Sequence, residues 1–355
     1  MNRLNEIFEN TSIGTWVKHF ARAPHQLNRP HEADAELIEL RDDPLIYLAI
    51  TTDTVAEEIE LGFYREPYTM RWVAAIACLR DLAAGGAAAL GLLISISIEP
   101  FRSETFTSHI AQGLEAACRK AGTYILGGDT NTTSYLSLTV SAVGWVPRKE
   151  FMTRQGSKPG DEVYITGTAG IGNALGLKVL SGMQDYLFPE KIYRPVAHIQ
   201  EGLALKTYAG CCMDTSDGVL TTLDQLMRIN GYGFEIHCNW EKLLNPQVLK
   251  FCQKTKTPPW LMLAGPHGEF ELIFTLSAAH KNALARKQQN PMAEAIKLGK
   301  VTETPEITLI PPSGKKIKID MAIIRNLLDT VEGDLDRYIR EFRSLGKKWG
   351  LEDYE

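Results

Sequence analysis

The chain has 355 residues, of which 44% are apolar and 23% charged, and its net charge is −5. This balance is typical of a globular protein long enough for two domains, and the acidic excess argues against a general nucleic-acid binder, which needs a basic surface. The six cysteines form no CxxC pair, which argues against a zinc or disulfide framework. No apolar run approaches the roughly 20 residues of a membrane span, and no signal-type apolar core follows the first methionine. We therefore expect a cytoplasmic protein with reduced thiols and no membrane partner.

The first half of the chain predicts a strand-rich layer covered by helices. Two apolar runs flank residues 41–44, which contain Asp-Pro turn chemistry, so they are expected to form a hairpin. Helices are expected at about residues 68–84 and 104–120, each from one apolar face, and alternating patterns indicate strands at 93–98 and 135–146. This order predicts an antiparallel or mixed sheet with helices on one face, an α+β domain.

A polar, glycine- and proline-containing segment at residues 153–163 indicates a domain boundary. Beyond it, strand and helix patterns alternate as far as a strand at 269–276, which predicts an α/β domain. Two short strands and a helical extension follow. We therefore predict four parts: a helical lead (1–30), a first domain (31–150), a second domain (151–312) and a helical C-terminal extension (313–355).

Acidic residues recur where predicted elements end. Four short segments carry them: Asp53 in TTDT, Asp81 in CLRDLAAGG, Asp129 in GGDT and Asp217 in DTSDG. Convergent carboxylates suit a hard divalent cation such as Mg²⁺, which takes oxygen ligands and shares phosphates. Gly127 and Gly128 would let a phosphate approach the backbone, and a helix that begins near Gly218 would direct N–H groups at an anion. Taken singly, each of these aspartates is more often a helix cap or a turn residue.

The order of these segments resembles the thiamine-monophosphate kinase family, within the superfamily related to aminoimidazole ribonucleotide (AIR) synthetase. The matching segments are TTDT, WVAAIACLRDLAAGGA, GGDT, TRQGSKPGDEVYITGTAG, DTSDG and EFELIFT, which span about residues 30–310. The resemblance implies an AIR synthase-like fold: an α+β first domain that dimerises through its sheet, and an α/β second domain. It also implies ATP and Mg²⁺ as cofactors in the cleft, and direct transfer of the γ-phosphoryl group to the phosphate of thiamine monophosphate, which gives thiamine diphosphate.

The resemblance assigns roles to residues of this chain. The implied metal ligands are Asp34, Asp53, Asp81, Asp129 and Asp217. The implied ATP contacts are Thr52, Gly127, Gly128, Asp129, Thr130, Arg154 and Ser216. The implied catalytic residues are Ser216 and Asp217. Phosphoryl transfer needs positioning and charge neutralisation more than a covalent nucleophile, and carboxylates with metals supply both.

The chain departs from the family pattern mainly on the acceptor side. The departures are Ala33 for an Asp, Glu60 and Leu61 for His and Phe, Arg80 for Ser, His198 for Arg, and Gly268 and Glu269 for Glu and Asp. Two alternatives therefore stay open: a related enzyme that uses ATP on a different acceptor, and an ATP-binding homologue with weakened catalysis. In each case the expected partners are a phosphorylated small molecule and a second copy of the chain.

Overall fold

A computed structural model of the chain describes residues 3–40, 43–101, 103–286 and 294–351. Arg41 and Asp42, in the predicted hairpin turn, lie outside these ranges. The two strands that flank the turn pair antiparallel, so the predicted hairpin is confirmed. Within the described ranges, no helix combines the length and the apolar character needed to cross a membrane.

The first sheet has five strands in the order β1-β2-β5-β3-β4. Their bounds are β1 Glu36–Glu39, β2 Ile46–Thr54, β3 Ala88–Ile98, β4 Ile125–Thr132 and β5 Ser137–Pro147. The β3–β4 pair is parallel and the others are antiparallel. The predicted mixed sheet is confirmed.

Helices cover one face of this sheet. The helices of this half are α1 Phe8–Val17, α2 Ala56–Glu60, α3 Pro67–Ala84 and α4 Glu104–Ala121, after a short 3-10 helix at Arg3–Glu6. α3 packs on β2, β3 and β5, and α4 packs on α3 and β4. The Ser103 hydroxyl caps α4 by accepting the Phe106 N–H, and Gly122 ends the helix with a φ of 72°. The helices predicted at residues 68–84 and 104–120 are thus confirmed.

The opposite face of the first sheet has no helix over it among the described residues. Large apolar side chains remain exposed there, with 45% of Leu93, 56% of Leu126 and 37% of Trp145 open to solvent. Residues 140, 142 and 146 of β5 point to the helical face and are fully buried, so the alternation of the strand separates the two faces. Contiguous exposed apolar side chains of this size usually mark a contact surface.

The second sheet has seven strands in the order β12-β11-β8-β10-β6-β9-β7. Their bounds are β6 Glu162–Ile165, β7 Cys212–Asp214, β8 Gly233–His237, β9 Leu272–Leu276, β10 Ile296–Thr302, β11 Ile307–Ile310 and β12 Ile317–Ile319. Among the strands that the structure describes, β8 and β11 form a parallel pair and the other pairs are antiparallel, so this sheet is mixed rather than mainly parallel. β12 lies in the segment predicted as a helical extension, which therefore begins with a strand of the second sheet.

Helices surround the second sheet. They are α5 Ile171–Leu180, α6 Ile199–Leu205, α7 Val219–Asn230, α8 Trp240–Leu243, α9 Pro246–Thr255, α10 Leu261–Ala264, α11 Ala278–Leu284, α12 Met321–Arg325, α13 Leu327–Thr330 and α14 Leu335–Trp349. Short 3-10 helices occur at Asp185–Leu187 and Glu190–Ile192.

The buried helix α3 joins the two halves of the molecule. Besides the first sheet, it contacts α6 and β7 of the second half. Its last turns are buried on every side, and Arg80 and Asp81 are among the buried residues. Because α3 carries these charged side chains to the end of β7, the seam between the two sheets holds polar groups inside an apolar core.

Candidate active site at the seam between the two sheets

Three carboxylates converge at the seam. Asp34 lies in the loop before β1, Asp81 in the last turn of α3 and Asp214 at the end of β7. Oxygen atoms of the three side chains all lie within 4.8 Å of one another. We call Asp34, Asp81 and Asp214 the aspartate cluster.

Neighbouring groups hold each member of the aspartate cluster in place. The Arg154 Nη2 atom lies 2.9 Å from Asp34 Oδ1. The Thr51 hydroxyl donates to Asp81 Oδ2 over 2.6 Å. The backbone N–H of Ser216 donates to Asp214 Oδ2 over 3.0 Å. Fixed partners of this kind orient ligand oxygens before any ligand arrives.

Arg80 lies among these carboxylates. Its Nε atom is 2.5 Å from Asp214 Oδ2 and 3.6 Å from Asp81 Oδ1, and its Nη2 atom is 3.2 Å from Asp53 Oδ2. Only 5% of its side chain is exposed, and its Cζ atom lies 4.2 Å from the centre of the Phe270 ring. Asp53 therefore reaches the aspartate cluster through Arg80.

Burial and mutual repulsion change the pKa values of these carboxyls. Burial raises the pKa of Asp34 to about 7, against the lowering effect of Arg154, and it raises the pKa of Asp81 well above the usual range. Burial acts the same way on Asp214, but the neighbouring guanidinium groups and hydrogen bonds together outweigh it, Arg80 most strongly, and the pKa of Asp214 is lowered. If all four carboxyls, counting Asp53, were ionised, their charge would exceed that of the Arg80 and Arg154 guanidinium groups by two negative charges.

These residues fit a hard divalent cation such as Mg²⁺. Their oxygen atoms belong to three different elements and are close enough together to share one ion. When ionised, the carboxyls carry an excess negative charge that equals the charge of one divalent ion, and such an ion would relieve their mutual repulsion. Asp34, Asp81 and Asp214 are therefore the residues that would hold the metal.

Asp217 and Ser216 follow the aspartate cluster along the chain, in the turn between β7 and α7. Ser216 is half-buried and bound through its N–H to Asp214. Asp217 lies on the wall of a cavity, and burial, together with Glu9, raises its pKa to about 7. Gly218 has a φ of 88°, and a Cβ there would lie 2.4 Å from the Gly265 carbonyl oxygen, so this turn requires glycine.

Asp129 lies away from the aspartate cluster within one chain. A row of paired residues crosses the first sheet from Asp53 through Val140 and Ile94 to Gly128. Three strand spacings of about 4.8 Å separate its ends, which places β4 about 14 Å from Asp53. Asp129 is exposed on β4 and accepts from the Asn131 side chain over 2.7 Å.

Most of the other residues that the resemblance assigns to ATP lie on the first sheet. Thr51 points to Asp81 on the helical face, so Thr52 points to the exposed face, where the Ser141 hydroxyl donates to it over 3.1 Å. Gly127 pairs with the exposed Leu93 and belongs to the same face. Gly128 and Thr130 are exposed on the edge strand β4. Arg154, by contrast, is bound to the aspartate cluster.

A cavity of about 790 Å³ opens beside Asp217. Its walls come from α1, α2 and the C-terminal helices, and they combine acidic with apolar side chains. Residues that line it include Glu9, Glu57, Glu58, Phe63 and Asp329. Its volume is in the range of pockets that bind small ligands.

Of the motif departures on the acceptor side, Leu61 lies at this cavity and the others lie elsewhere than on its walls. Leu61 lines it, whereas Glu60 is exposed at the end of α2 and is not among the lining residues. His198 Nε2 lies 2.8 Å from Glu271 Oε2. When protonated, the histidine is therefore a cationic partner for the Glu271 carboxylate, in the place of the arginine of the family pattern. Glu269 is 1% exposed and accepts the Gly172 N–H over 3.2 Å; burial raises its pKa to about 8.

Sequence reasoning missed two features of the site. Asp214 was assigned no role, although its position at the end of a short apolar run is the same signal that identified the other aspartates. The ion pairs of Arg80 were missed because they join residues far apart in the sequence. Neither the pattern of α3 nor that of β7 reveals that the two elements touch.

Comparisons with known proteins agree with this architecture. Residues 32–146 match the family described as AIR synthase related protein, N-terminal domain. The thiamine-monophosphate kinase of Archaeoglobus fulgidus is 30% identical over 235 residues, which are 65% of this chain and 74% of the relative. That of Salmonella typhimurium is 29% identical over 245 residues, 67% of this chain and 73% of the relative.

Solved structures share the fold at lower identity. A structure described as AaThiL complexed with AMPPCP and TMP has a TM-score of 0.70 and 22% identity, and the match covers 88% of this chain and 95% of that one. The protein tt0281 from Thermus thermophilus has a TM-score of 0.72 and 23% identity, over 84% of this chain and 95% of that one. The matching fold and the sequence match over most of a curated relative together show that this chain belongs to the thiamine-monophosphate kinase family.

Proposed function

We propose that the chain transfers the γ-phosphoryl group of ATP to the phosphate of thiamine monophosphate, with Mg²⁺ held by the aspartate cluster. The observation that carries the proposal is the convergence of Asp34, Asp81 and Asp214 at the seam, beside a cavity of about 790 Å³. The names of the relatives support it, and so does the nucleotide analogue in the complex of AaThiL with AMPPCP and TMP.

The chemistry asks little of protein side chains as acids or bases. The bond between the β–γ bridging oxygen and the γ-phosphorus breaks, ADP leaves, and an acceptor phosphate oxygen bonds to the same phosphorus. That oxygen already carries negative charge, so no base has to remove a proton. When bound, Mg²⁺ neutralises charge on the phosphate oxygens. Asp34, Asp81 and Asp214 would hold the ion, and Arg154 keeps Asp34 oriented.

Asp53, Asp217 and Ser216 would complete the site in this proposal. Asp53 is anchored by Arg80 at 3.2 Å, and Asp217 lines the cavity three residues after Asp214. A carboxylate on this wall would be a ligand for a second cation, which would neutralise further phosphate charge. Thr52, Gly127, Gly128, Asp129 and Thr130 stay predicted nucleotide contacts on the first sheet. Ser216 lies between Asp214 and Asp217 in the turn after β7, and its backbone N–H donates to Asp214.

The cavity walls support a cationic acceptor. Acidic side chains line the cavity, namely Glu9, Glu57, Glu58 and Asp329. Arg325 also lines it and contributes a positive charge. The thiazolium ring of thiamine is positively charged and flat, so carboxylates and the Phe63 ring would both favour it. Leu61 replaces an aromatic residue of the family pattern and favours the second candidate, a related phosphorylated acceptor with a smaller ring.

The exposed face of the first sheet supports a homodimer. Leu93, Leu126 and Trp145 would be covered by the same surface of a second copy, as in a two-fold symmetric contact. Six free buried cysteines are consistent with a cytoplasmic location.

The test is an ADP-release assay with ATP, Mg²⁺ and thiamine monophosphate, run beside a panel of other phosphorylated vitamins and nucleotides. The proposal expects thiamine monophosphate to give the highest kcat/KM of the panel. A higher kcat/KM for another phosphorylated compound would transfer the assignment to that acceptor. No acceptor-dependent ADP release with any compound, despite ATP binding, would identify a binding homologue.

A further inference from the structure

We propose that the Arg80 guanidinium is a built-in cation of the aspartate cluster, so that this chain holds one divalent cation fewer than it would with serine at position 80. The inference rests on the proposed function, in which the cluster binds divalent cations. It concerns a residue that departs from the family pattern, where serine is usual.

The position of Arg80 is that of a counter-ion rather than of a surface ion pair. Its side chain contacts Asp214, Asp81 and Asp53 at 2.5, 3.6 and 3.2 Å and is 5% exposed. Two of these carboxylates, those of Asp81 and Asp214, belong to the aspartate cluster itself. Oxygens this close to a fixed guanidinium are poorly available to a second cation, because the two positive charges would repel each other.

Arg80 also has unused hydrogen-bonding capacity inside the seam. Among the described residues its Nη1 atom is buried and has no hydrogen-bond partner. A buried guanidinium that leaves a donor unpaired is costly unless a ligand completes it. An anionic oxygen, such as that of a phosphate, is the partner that such a donor would take.

The charge count gives the size of the effect. Asp34, Asp53, Asp81 and Asp214 carry four negative charges when ionised, and Arg80 and Arg154 carry two positive charges. The remainder equals the charge of a single divalent ion. With serine at position 80 three negative charges would remain, and the oxygens now facing Arg80 would be free to bind a further ion.

The contrasting explanation is that Arg80 only ties α3 to β7. In that case its loss would lower stability without changing the number of bound cations. Arg71 provides the matched control, because it is a buried arginine of the same helix, about 13 Å before Arg80 along the axis. It stacks on Phe106, and no carboxylate contacts it in the described part of the chain. Arg80→Lys keeps a positive charge and should keep the wild-type cation count.

The experiment counts Mn²⁺ bound per chain by electron paramagnetic resonance, with the metal alone and no turnover required. We expect Arg80→Ser to bind one Mn²⁺ more than the wild type, and Arg80→Lys and Arg71→Ser to match the wild type. Equal counts for Arg80→Ser and the wild type, with both binding Mn²⁺, would overturn the inference and leave the proposed function intact. No Mn²⁺ bound by either protein would overturn both.

A folding measurement covers the case in which Arg80→Ser does not fold in metal-free buffer. Circular dichroism would follow its structure while Mn²⁺ is added. Recovery of the folded spectrum by Mn²⁺, with no such effect on Arg71→Ser, is the expected result. Failure to recover at millimolar Mn²⁺ would overturn the inference, since a cation would then not replace the guanidinium.

Discussion

Replacing Asp214 with asparagine isolates the charge of one carboxylate of the aspartate cluster. Asparagine has nearly the same size and can still accept the Ser216 N–H, which now lies 3.0 Å from Oδ2. The substitution removes one of three converging ligands. Loss of one preorganised electrostatic group typically costs about 3 kcal/mol in the transition state, and we therefore expect turnover to fall by at least about 100-fold.

The effect of Asp214→Asn on stability should be smaller than the burial of the residue indicates. Breaking a buried ion pair costs about 3–5 kcal/mol when the partner is left alone. Arg80 keeps Asp53 at 3.2 Å and Asp81 at 3.6 Å, and Asp34 is relieved of a repelling neighbour. The free energy of unfolding should therefore decrease by less than about 3 kcal/mol.

The assay combines ADP-release kinetics with denaturant unfolding, and Asp224→Asn is the matched control. Asp224 is fully buried on α7 and pairs with Arg228 at 2.7 Å and Arg325 at 3.0 Å, outside the aspartate cluster. The control should lose stability while its ATP affinity stays near that of the wild type. Turnover of Asp214→Asn within about threefold of the wild type would refute the assignment of Asp214 as a ligand-holding residue.

Three further predictions follow from the same contacts. ATP should bind only with a divalent cation, because the seam is acidic; calorimetry that gives equal affinity with and without a chelator would contradict this. Burial acts to lower the pKa of His198, but Glu271 and Glu201 together outweigh it and raise the pKa to about 10. The stability that these ion pairs add is therefore complete below pH 6.5 and is lost as the pH approaches 10. Thermal melts should accordingly show His198→Asn less stable than the wild type at pH 6.5, with the difference shrinking by pH 10, and a constant difference would show that the pair does not titrate. Leu93→Asp should convert a dimer into a monomer in sedimentation experiments, whereas a monomeric wild type at micromolar concentration would refute the dimer.

The fold was predictable where local patterns are strong. The apolar face of residues 68–84 and the alternation in residues 135–146 identify α3 and β5, because helix and strand periods differ. The strand Ile317–Ile319 was missed, since three residues are too few to show a period. The mixture of parallel and antiparallel pairs in the second sheet could not be predicted either, because alternating strand and helix patterns do not reveal the direction of each strand.

The sequence predicted the chemical groups of the candidate site but not the contacts between them. The family resemblance drew attention to Asp34 and Asp81, which the structure brings together with Asp214. It also singled out Arg80 as a departure, but no local pattern predicts that one guanidinium contacts three carboxylates from different elements. Such contacts depend on the packing of α3 against β7, which is a tertiary property.

The most direct test of the proposed function is to follow the transferred phosphoryl group itself. The enzyme would be incubated with Mg²⁺, thiamine monophosphate and ATP labelled in the γ-phosphate, and the products identified by ³¹P NMR and mass spectrometry. The account predicts that the label appears in thiamine diphosphate, in equal amount to the ADP formed, and that Asp214→Asn slows its appearance by at least about 100-fold. Label recovered only in inorganic phosphate or in unreacted ATP would contradict it.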